Sequence, residues 1–388
     1  MTRVTIVGAG LAGLTAAIAC AEAGAQVVVH EAHATPGGRA RTTPPPWVAH
    51  EGPHAFYADG PHWRWLADRD LVGRAVTLSA AQLLAVRIHH DGRLRRSVPA
   101  GVLAMVALHR RRRAPVDRDF LSWAAERHGE ATARAAANFL GIVTYDSDPG
   151  RLSAAFVWDL LLRLTAPRAP AVRFVVGGWS GMVDRMVVRA RELGVRIETS
   201  SRVDALPETP VIVATQLESA RALLGDDTLA WESGRCVLLD VGLVADRRDA
   251  YLISDLDDAG AVVRSTGPDP SLAPPGHSLV QADMPLKPGE PRTAAVERLE
   301  HLLDLGLPAW RDRVAWRRDA VAAGRSGALD LPGYTWRDRP AIDRGSGVYL
   351  AGDLVAAPGM RGEVSMNSAL TAARLVTEPS AVRATHGG

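Results

Sequence analysis

Apolar and polar positions alternate along the chain in a way that predicts its elements before any residue chemistry is considered. Val4 to Val7 form a β-branched run. The glycine-rich stretch Gly8 to Gly13 follows, then an Ala-rich helical segment from Leu14 to Ala23 closed by Gly24, then a second apolar run from Val27 to His30 ending at Glu31. Strand, turn, helix and strand within about thirty residues predict a βαβ unit of a parallel sheet. Further on, the pattern predicts a short helix over Trp63 to Asp68. Residues 80 to 98 read as a hairpin turning at His89-His90-Asp91-Gly92, and two or three helices follow between Gly101 and Leu164. A second α/β signal spans Gly178 to Thr215, with a helix over Met182 to Leu193 and strands at Val195 to Glu198 and Val211 to Ala214. Strands are predicted again at Cys236 to Val244 and Ser278 to Asp283, with a helix at Thr293 to Leu303. The chain closes with a strand at Gly347 to Ala351 and a helix at Ser365 to Val376. No internal repeat and no low-complexity linker appears.

Nucleotide-type segments thus occur at the start, middle and end of the 388 residues. One domain interrupted twice by another fits this better than two units in tandem. The expected division is 1–75, 171–224 and 331–388 for one domain, 76–170 and 225–330 for the other.

Composition narrows the class without naming a function. The chain is 47% hydrophobic and 23% charged, so it can bury a large core. A formal net charge of +2 argues against a nucleic-acid binder. Cys20 and Cys236 are too far apart in sequence to form a metal or redox motif, and no metal is expected. The first strand begins within three residues, leaving no room for a signal segment, and no apolar run reaches membrane-spanning length; the expectation is a cytoplasmic protein. The run His109 to Arg113 follows an apolar stretch, Val102 to Leu108. A solvated helix end is the simpler reading; an interfacial helix making peripheral membrane contact is the alternative.

Gly8-x-Gly10-x-x-Gly13, with Leu11 and Ala12 between, assigns three different jobs to its glycines. Gly8 serves a tight turn, Gly10 lets the backbone approach a pyrophosphate, and Gly13 allows the helix to pack on the strand. The helix start offers unpaired N–H groups to phosphate, and Glu31, followed by Ala32, suits an adenosine ribose. This motif alone does not separate FAD from NAD. The segment Gly37-Gly38-Arg39-Ala40 right after the acid does. It resembles the Gly-Gly-Arg element of the FAD-dependent amine oxidase and phytoene desaturase superfamily, in which the glycines pass close to the cofactor and the Arg assists its phosphates.

Val348 to Asp353 and then Pro358 to Ser365 resemble that superfamily's closing element. There Gly352-Asp353 would meet the ribityl and phosphate region, and Arg361-Gly362-Glu363-Val364-Ser365 would begin a helix aimed at the flavin pyrimidine. Gly177-Gly178-x-x-Gly181 with Arg202-Val203 is similar to the middle FAD segment, and it implies that Val203 lies by the adenine. Glu51 to Tyr57 is similar to the stretch beside the isoalloxazine. This implies cofactor contacts at Gly52, Pro53 and His54, with His54 as a proton carrier and Tyr57 on the pocket wall; plain packing is the competing reading for His54. By the same alignment Arg361 lies on the flavin or at the pocket mouth.

The resemblance implies an α/β fold, a Rossmann-like FAD/NAD(P)-binding domain of the glutathione reductase type with an inserted α+β substrate domain. It also implies non-covalent FAD, since no Cys lies near the closing motif, and hydride removal from a C–H bond of a small metabolite in secondary or isoprenoid metabolism. The electrons would pass to oxygen or another acceptor. One feature departs from the amine oxidases: the lysine they place near flavin N5 has a single candidate here, Lys287, flanked by Pro285 and Pro288 as in a surface loop. Two other readings stay open, a redox-neutral isomerase or cyclase and a FAD-holding protein without turnover. A dehydrogenase using nicotinamide alone ranks below them.

Overall fold

A computed structural model describes residues 2–51, 55–166, 172–208 and 210–378. The strands Val348–Leu350, Val211–Val213, Arg3–Val7, Gln26–His30 and Arg196–Glu198 lie side by side in that order, and every pair is parallel. Their apolar side chains are buried on both faces, as expected where helices cover a parallel sheet. Ile6, Leu14, Ile18, Met186, Ile212 and Met366 are fully buried in one core, which joins this sheet to the helices Leu11–Glu22, Gly178–Glu192 and Gly362–Thr377. Each such side chain contributes about 1.5–3 kcal/mol by leaving water.

A second sheet has seven strands in the order Val314–Ala328, Ser233–Val244, His277–Pro285, Ala261–Arg264, Leu252–Asp255, Val86–His90 and Arg93–Arg95. It is antiparallel except between Leu252–Asp255 and Val86–His90. One face packs against the helix Arg292–Gly306 through Val280, Ala282, Met284, Leu299 and Leu303. Residues 281 and 283 alternate with these, so they point to the opposite face. Helices between Ala100 and Leu164 form a further core around Phe120, Leu140, Leu152 and Trp158.

Several elements differ from the expected pattern. Residues 80 to 84 are a helix, not the first arm of a hairpin, because Ser79 and Gln82 cap each other: the Gln82 amide donates to Ser79 Oγ (3.3 Å) and the Ser79 amide to Gln82 Oε1 (2.6 Å). The hairpin itself is Val86–His90 and Arg93–Arg95. Five helices, not two or three, lie between Ala100 and Leu164, because short loops divide the Ala-rich region; Gly129, at φ 77°, separates two of them. The pattern did not indicate Val172–Val175, Leu252–Asp255, Ala261–Arg264 or the long strand Val314–Ala328. The last is rich in Ala, Arg and Gly, and its extended form is held by the ladder to Ser233–Val244.

Candidate active site

A cavity of about 700 Å³ runs from the glycine turn of the parallel sheet to the face of the second sheet opposite the helix Arg292–Gly306, and to the helices beside it. Its volume lies within the range of ligand sites. Gly8, Gly10, Leu11, Ala12, Glu31, Ala32, Gly37, Gly38, Arg39 and Ala40 line one end, with Val203.

The three glycines of the turn divide their work as the spacing predicts. Gly8 has φ 101°, and a Cβ there would stand 2.7 Å from the Ala214 carbonyl oxygen. A Cβ on Gly13 would stand 1.8 Å from the Gly8 oxygen, so this residue packs helix on turn, and its atoms do not line the cavity. A Cβ on Gly10 would meet only the Gly38 Cα, at 4.0 Å, so the protein itself leaves that space open. The Gly37 amide donates to the Ala9 carbonyl (2.7 Å), which holds the second glycine pair over the first. The helix Leu11–Glu22 has no side-chain cap and no acidic residue in its first turn, so its leading N–H groups are left for another partner.

Glu31 is buried, and its carboxylate accepts from the amides of Ala9 (2.8 Å) and His33 (2.9 Å). Each oxygen keeps a lone pair for a further donor. Arg39 and Asp353, 314 residues apart, form a two-pronged pair, Nη1 to Oδ2 at 2.6 Å and Nη2 to Oδ1 at 2.8 Å. Burial pulls the Asp353 carboxyl up, and the Arg39 guanidinium more than offsets this, holding it below the ordinary value. Gly352 and Asp353 both line the cavity, so the ion pair ties the first and last motifs together.

The final helix opens beside the same cavity. Arg361, Gly362, Glu363 and Ser365 line it; the Val364 side chain is part of the core under the parallel sheet, pointing inward from the first turn. Glu363 is buried and bridged by Arg163, at 2.9 Å to each oxygen, and Arg163 lies over the Tyr57 ring at 4.4 Å. Tyr57 lines the cavity, and its phenol is pushed up to about 12 by burial. Arg361 has φ 53° and ψ −117°, a strained conformation for a residue with a side chain. Its guanidinium sits 3.9 Å from the Tyr145 ring centroid and donates through Nε to the Ser326 carbonyl (3.3 Å), while its buried Nη2 has no partner among the described residues.

Sequence reasoning missed a second layer behind these groups. Asp283, on the cavity-side face of the strand His277–Pro285, is fully buried, and neither carboxyl oxygen has a hydrogen-bond partner among the described residues. Burial pushes its carboxyl well above the ordinary aspartate value, and the Arg361 charge opposes this, so burial favours the protonated acid beside Arg361. Nothing in the local sequence distinguishes Asp283 from any strand-end aspartate. His50 was also missed. Its Nε2 accepts from the Trp179 amide (3.1 Å), its Nδ1 faces Gln281 Oε1 (3.4 Å), and burial drives the ring down to about 4. It is therefore a neutral, fixed ring that anchors the start of the helix Gly178–Glu192. Gly177, Gly178 and Gly181 do not line the cavity; Trp179 does.

Gly52, Pro53 and His54 lie outside the described residues. Lys287 is far from the part expected of an amine-oxidase lysine. Its Nζ binds Asp258 (2.6 Å) in a half-exposed loop, and it does not line the cavity. The far end of the cavity is apolar, walled by Phe139, Ile142, Val143, Leu164, Phe174 and Met360.

Residues 6–69 match the model of an NAD(P)-binding Rossmann-like domain, and the whole chain has the Rossmann-like α/β fold found in FAD-dependent oxidoreductases. Among solved structures it is similar to an oxidoreductase from Methanosarcina mazei, with TM-score 0.77 and 16% identity, covering 95% of this chain and 99% of that one. It is similar to cyclohexylamine oxidase from Brevibacterium oxydans, with TM-score 0.72 and 15% identity, covering 97% and 98%. It is also similar to reduced UDP-galactopyranose mutase, with TM-score 0.68 and 14% identity, covering 97% and 95%. No curated protein matches the chain by sequence.

Proposed function

We propose that this chain is an FAD-dependent oxidoreductase that takes a hydride from a C–H bond, alpha to nitrogen or allylic, of a small apolar metabolite of secondary or isoprenoid metabolism. Residues 1–75, 171–224 and 331–388 would hold the cofactor, and 76–170 with 225–330 the substrate. The observation that carries the reading is the single cavity that joins the open Gly10–Gly38 gap to the apolar wall, with the unpartnered Arg361 Nη2 between the two domains' elements.

The residues present fit FAD held without a covalent bond. The Gly10–Gly38 gap and the uncapped helix Leu11–Glu22 suit a pyrophosphate, Glu31 a ribose, and Arg39-Asp353 with Gly352 the chain between them. When bound, FAD supplies a two-electron acceptor that gains negative charge on its pyrimidine side. The chain's own part is electrostatic and positional. The start of the helix Gly362–Thr377 and the buried Arg361 guanidinium place positive charge in a water-poor setting. Phe139, Ile142, Val143, Leu164 and Phe174 exclude water and select an apolar substrate. With Lys287 on the surface, a lysine-held water has no source among the described residues, which favours allylic or other apolar C–H donors over simple amines. The acceptor, oxygen or another oxidant, would regenerate the cofactor.

The redox-neutral isomerase or cyclase is the second reading, supported by the fold shared with the mutase. A flavin-holding role without turnover leaves the apolar end of the cavity unexplained. Purified protein is expected to be yellow and to release FAD on denaturation, with Glu31→Ala weakening retention. Anaerobic mixing with a panel of amines, isoprenoids and pathway intermediates is expected to bleach the flavin with one apolar class. Turnover without net bleaching would select the isomerase reading, and colourless protein that binds only nicotinamide cofactors would overturn the proposal.

A further inference from the structure

The helix Ala100–His109 carries a feature that the cavity chemistry does not use. Its buried side is Val102, Met105 and Val106, spaced three and four apart against the helical core. The opposite side is Leu103, Ala104, Ala107 and Leu108, all exposed, with Leu103 at 51% and Leu108 at 76%. A surface helix ordinarily sets charged residues there, and this one sets none. Arg110, Arg111, Arg112 and Arg113 follow at once, and among the described residues no carboxylate forms an ion pair with Arg110, Arg111 or Arg113. An apolar face ending in unpaired arginines is complementary to one surface in particular, acyl chains beneath phosphate headgroups of negative charge.

The position of the helix agrees with this. Arg110 Nη1 reaches the Thr165 carbonyl at 3.5 Å, next to Leu164 on the apolar wall of the cavity. A second short helix, Ala80–Leu84, exposes Leu83 (53%) and Leu84 (79%), and Leu78 just before it also lines the cavity. Both exposed apolar helices thus adjoin segments that line the cavity.

We propose that the chain docks on the surface of an anionic lipid bilayer through the exposed face of Ala100–His109, with Arg110, Arg111 and Arg113 on the headgroups. The cavity's apolar end then opens toward the layer that would hold a lipid-soluble substrate. This does not depend on the cofactor assignment, because vesicle binding is read without turnover. Each arginine at the surface strengthens binding roughly fivefold, and high salt weakens that share.

The test is flotation of the full chain with phosphatidylcholine vesicles, with and without phosphatidylglycerol. Binding is expected to rise with phosphatidylglycerol and to fall at high salt. Replacing Arg110, Arg111 and Arg113 together by Gln is expected to weaken it on the order of a hundredfold. Leu103→Asp with Leu108→Asp is expected to abolish it with the thermal midpoint unchanged, since both positions are exposed. A Leu108→Trp variant, independent of any folding loss in the Asp pair, is expected to be quenched by brominated acyl chains. No flotation with anionic vesicles, flotation unaffected by the Asp pair, or no quenching would overturn the proposal. So would light scattering that shows the Asp pair halving the mass, which would assign the face to a second copy of the chain.

Discussion

Asp283 offers the sharpest test of how the site is charged. The acid is fully buried with no hydrogen-bond partner among the described residues, so burial holds a proton on it above the ordinary value of 3.8 at which the unfolded chain releases one. A group whose folded value is raised contributes stability that is whole below the unfolded value and is lost as pH rises toward the folded one. The loss is about 1.4 kcal/mol per pH unit while the folded group stays protonated. Asp283→Asn has no such proton. Exchanging carboxyl for amide adds an offset that does not vary with pH, so the slope is what reports the acid. Urea unfolding of wild type and variant from about pH 4 upward should show the variant gaining on the wild type as pH rises, by up to about 1.4 kcal/mol per pH unit while the folded acid keeps its proton. Arg361→Met removes the one charge that opposes protonation and should extend the wild-type slope to higher pH. Parallel stability curves for wild type and Asp283→Asn would refute the raised carboxyl of Asp283.

Two further outcomes follow from the glycine turn and the ion pair. Gly10→Val is expected to leave the fold intact, since its Cβ meets nothing nearer than 4.0 Å, yet to weaken FAD binding roughly tenfold or more, about 1.4 kcal/mol. Gly13→Val, forced to 1.8 Å from a backbone oxygen, should fail to fold, and melting with flavin titration separates the two. Arg39→Met strands the buried Asp353 carboxylate and is expected to cost about 2 kcal/mol, reduced from the usual figure for a buried pair because the Arg39 side chain is 33% exposed. Asp353→Asn leaves an arginine that can reach water and should cost less, about 1 kcal/mol; the reverse order in denaturant melts would contradict the geometry.

What the sequence alone determined is what depends on neighbours along the chain. Gly8 needs a positive φ and Gly13 needs to touch the turn, and both demands are set within six residues. The Ala-rich helix, the β-branched strands and Glu31 at a strand end are equally local, so they were legible. Local signals failed where partners decide. Residues 314–328 carry weak β-propensity and are extended because the strand Ser233–Val244 supplies their hydrogen bonds. Val364 falls in the motif yet points into the core, since the helix's rotation against the sheet, not the motif, aims its side chain.

The candidate site shows the same division at larger separation. Gly37-Gly38-Arg39 and Gly352-Asp353 were each visible, but the bond between Arg39 and Asp353 spans 314 residues and exists only because two separated segments add strands to one sheet. The burial of Asp283, the fixed neutral ring of His50 and the open guanidinium of Arg361 have no sequence signature. A side chain's charge state depends on how much water and which partners surround it, and only the packed tertiary structure sets those.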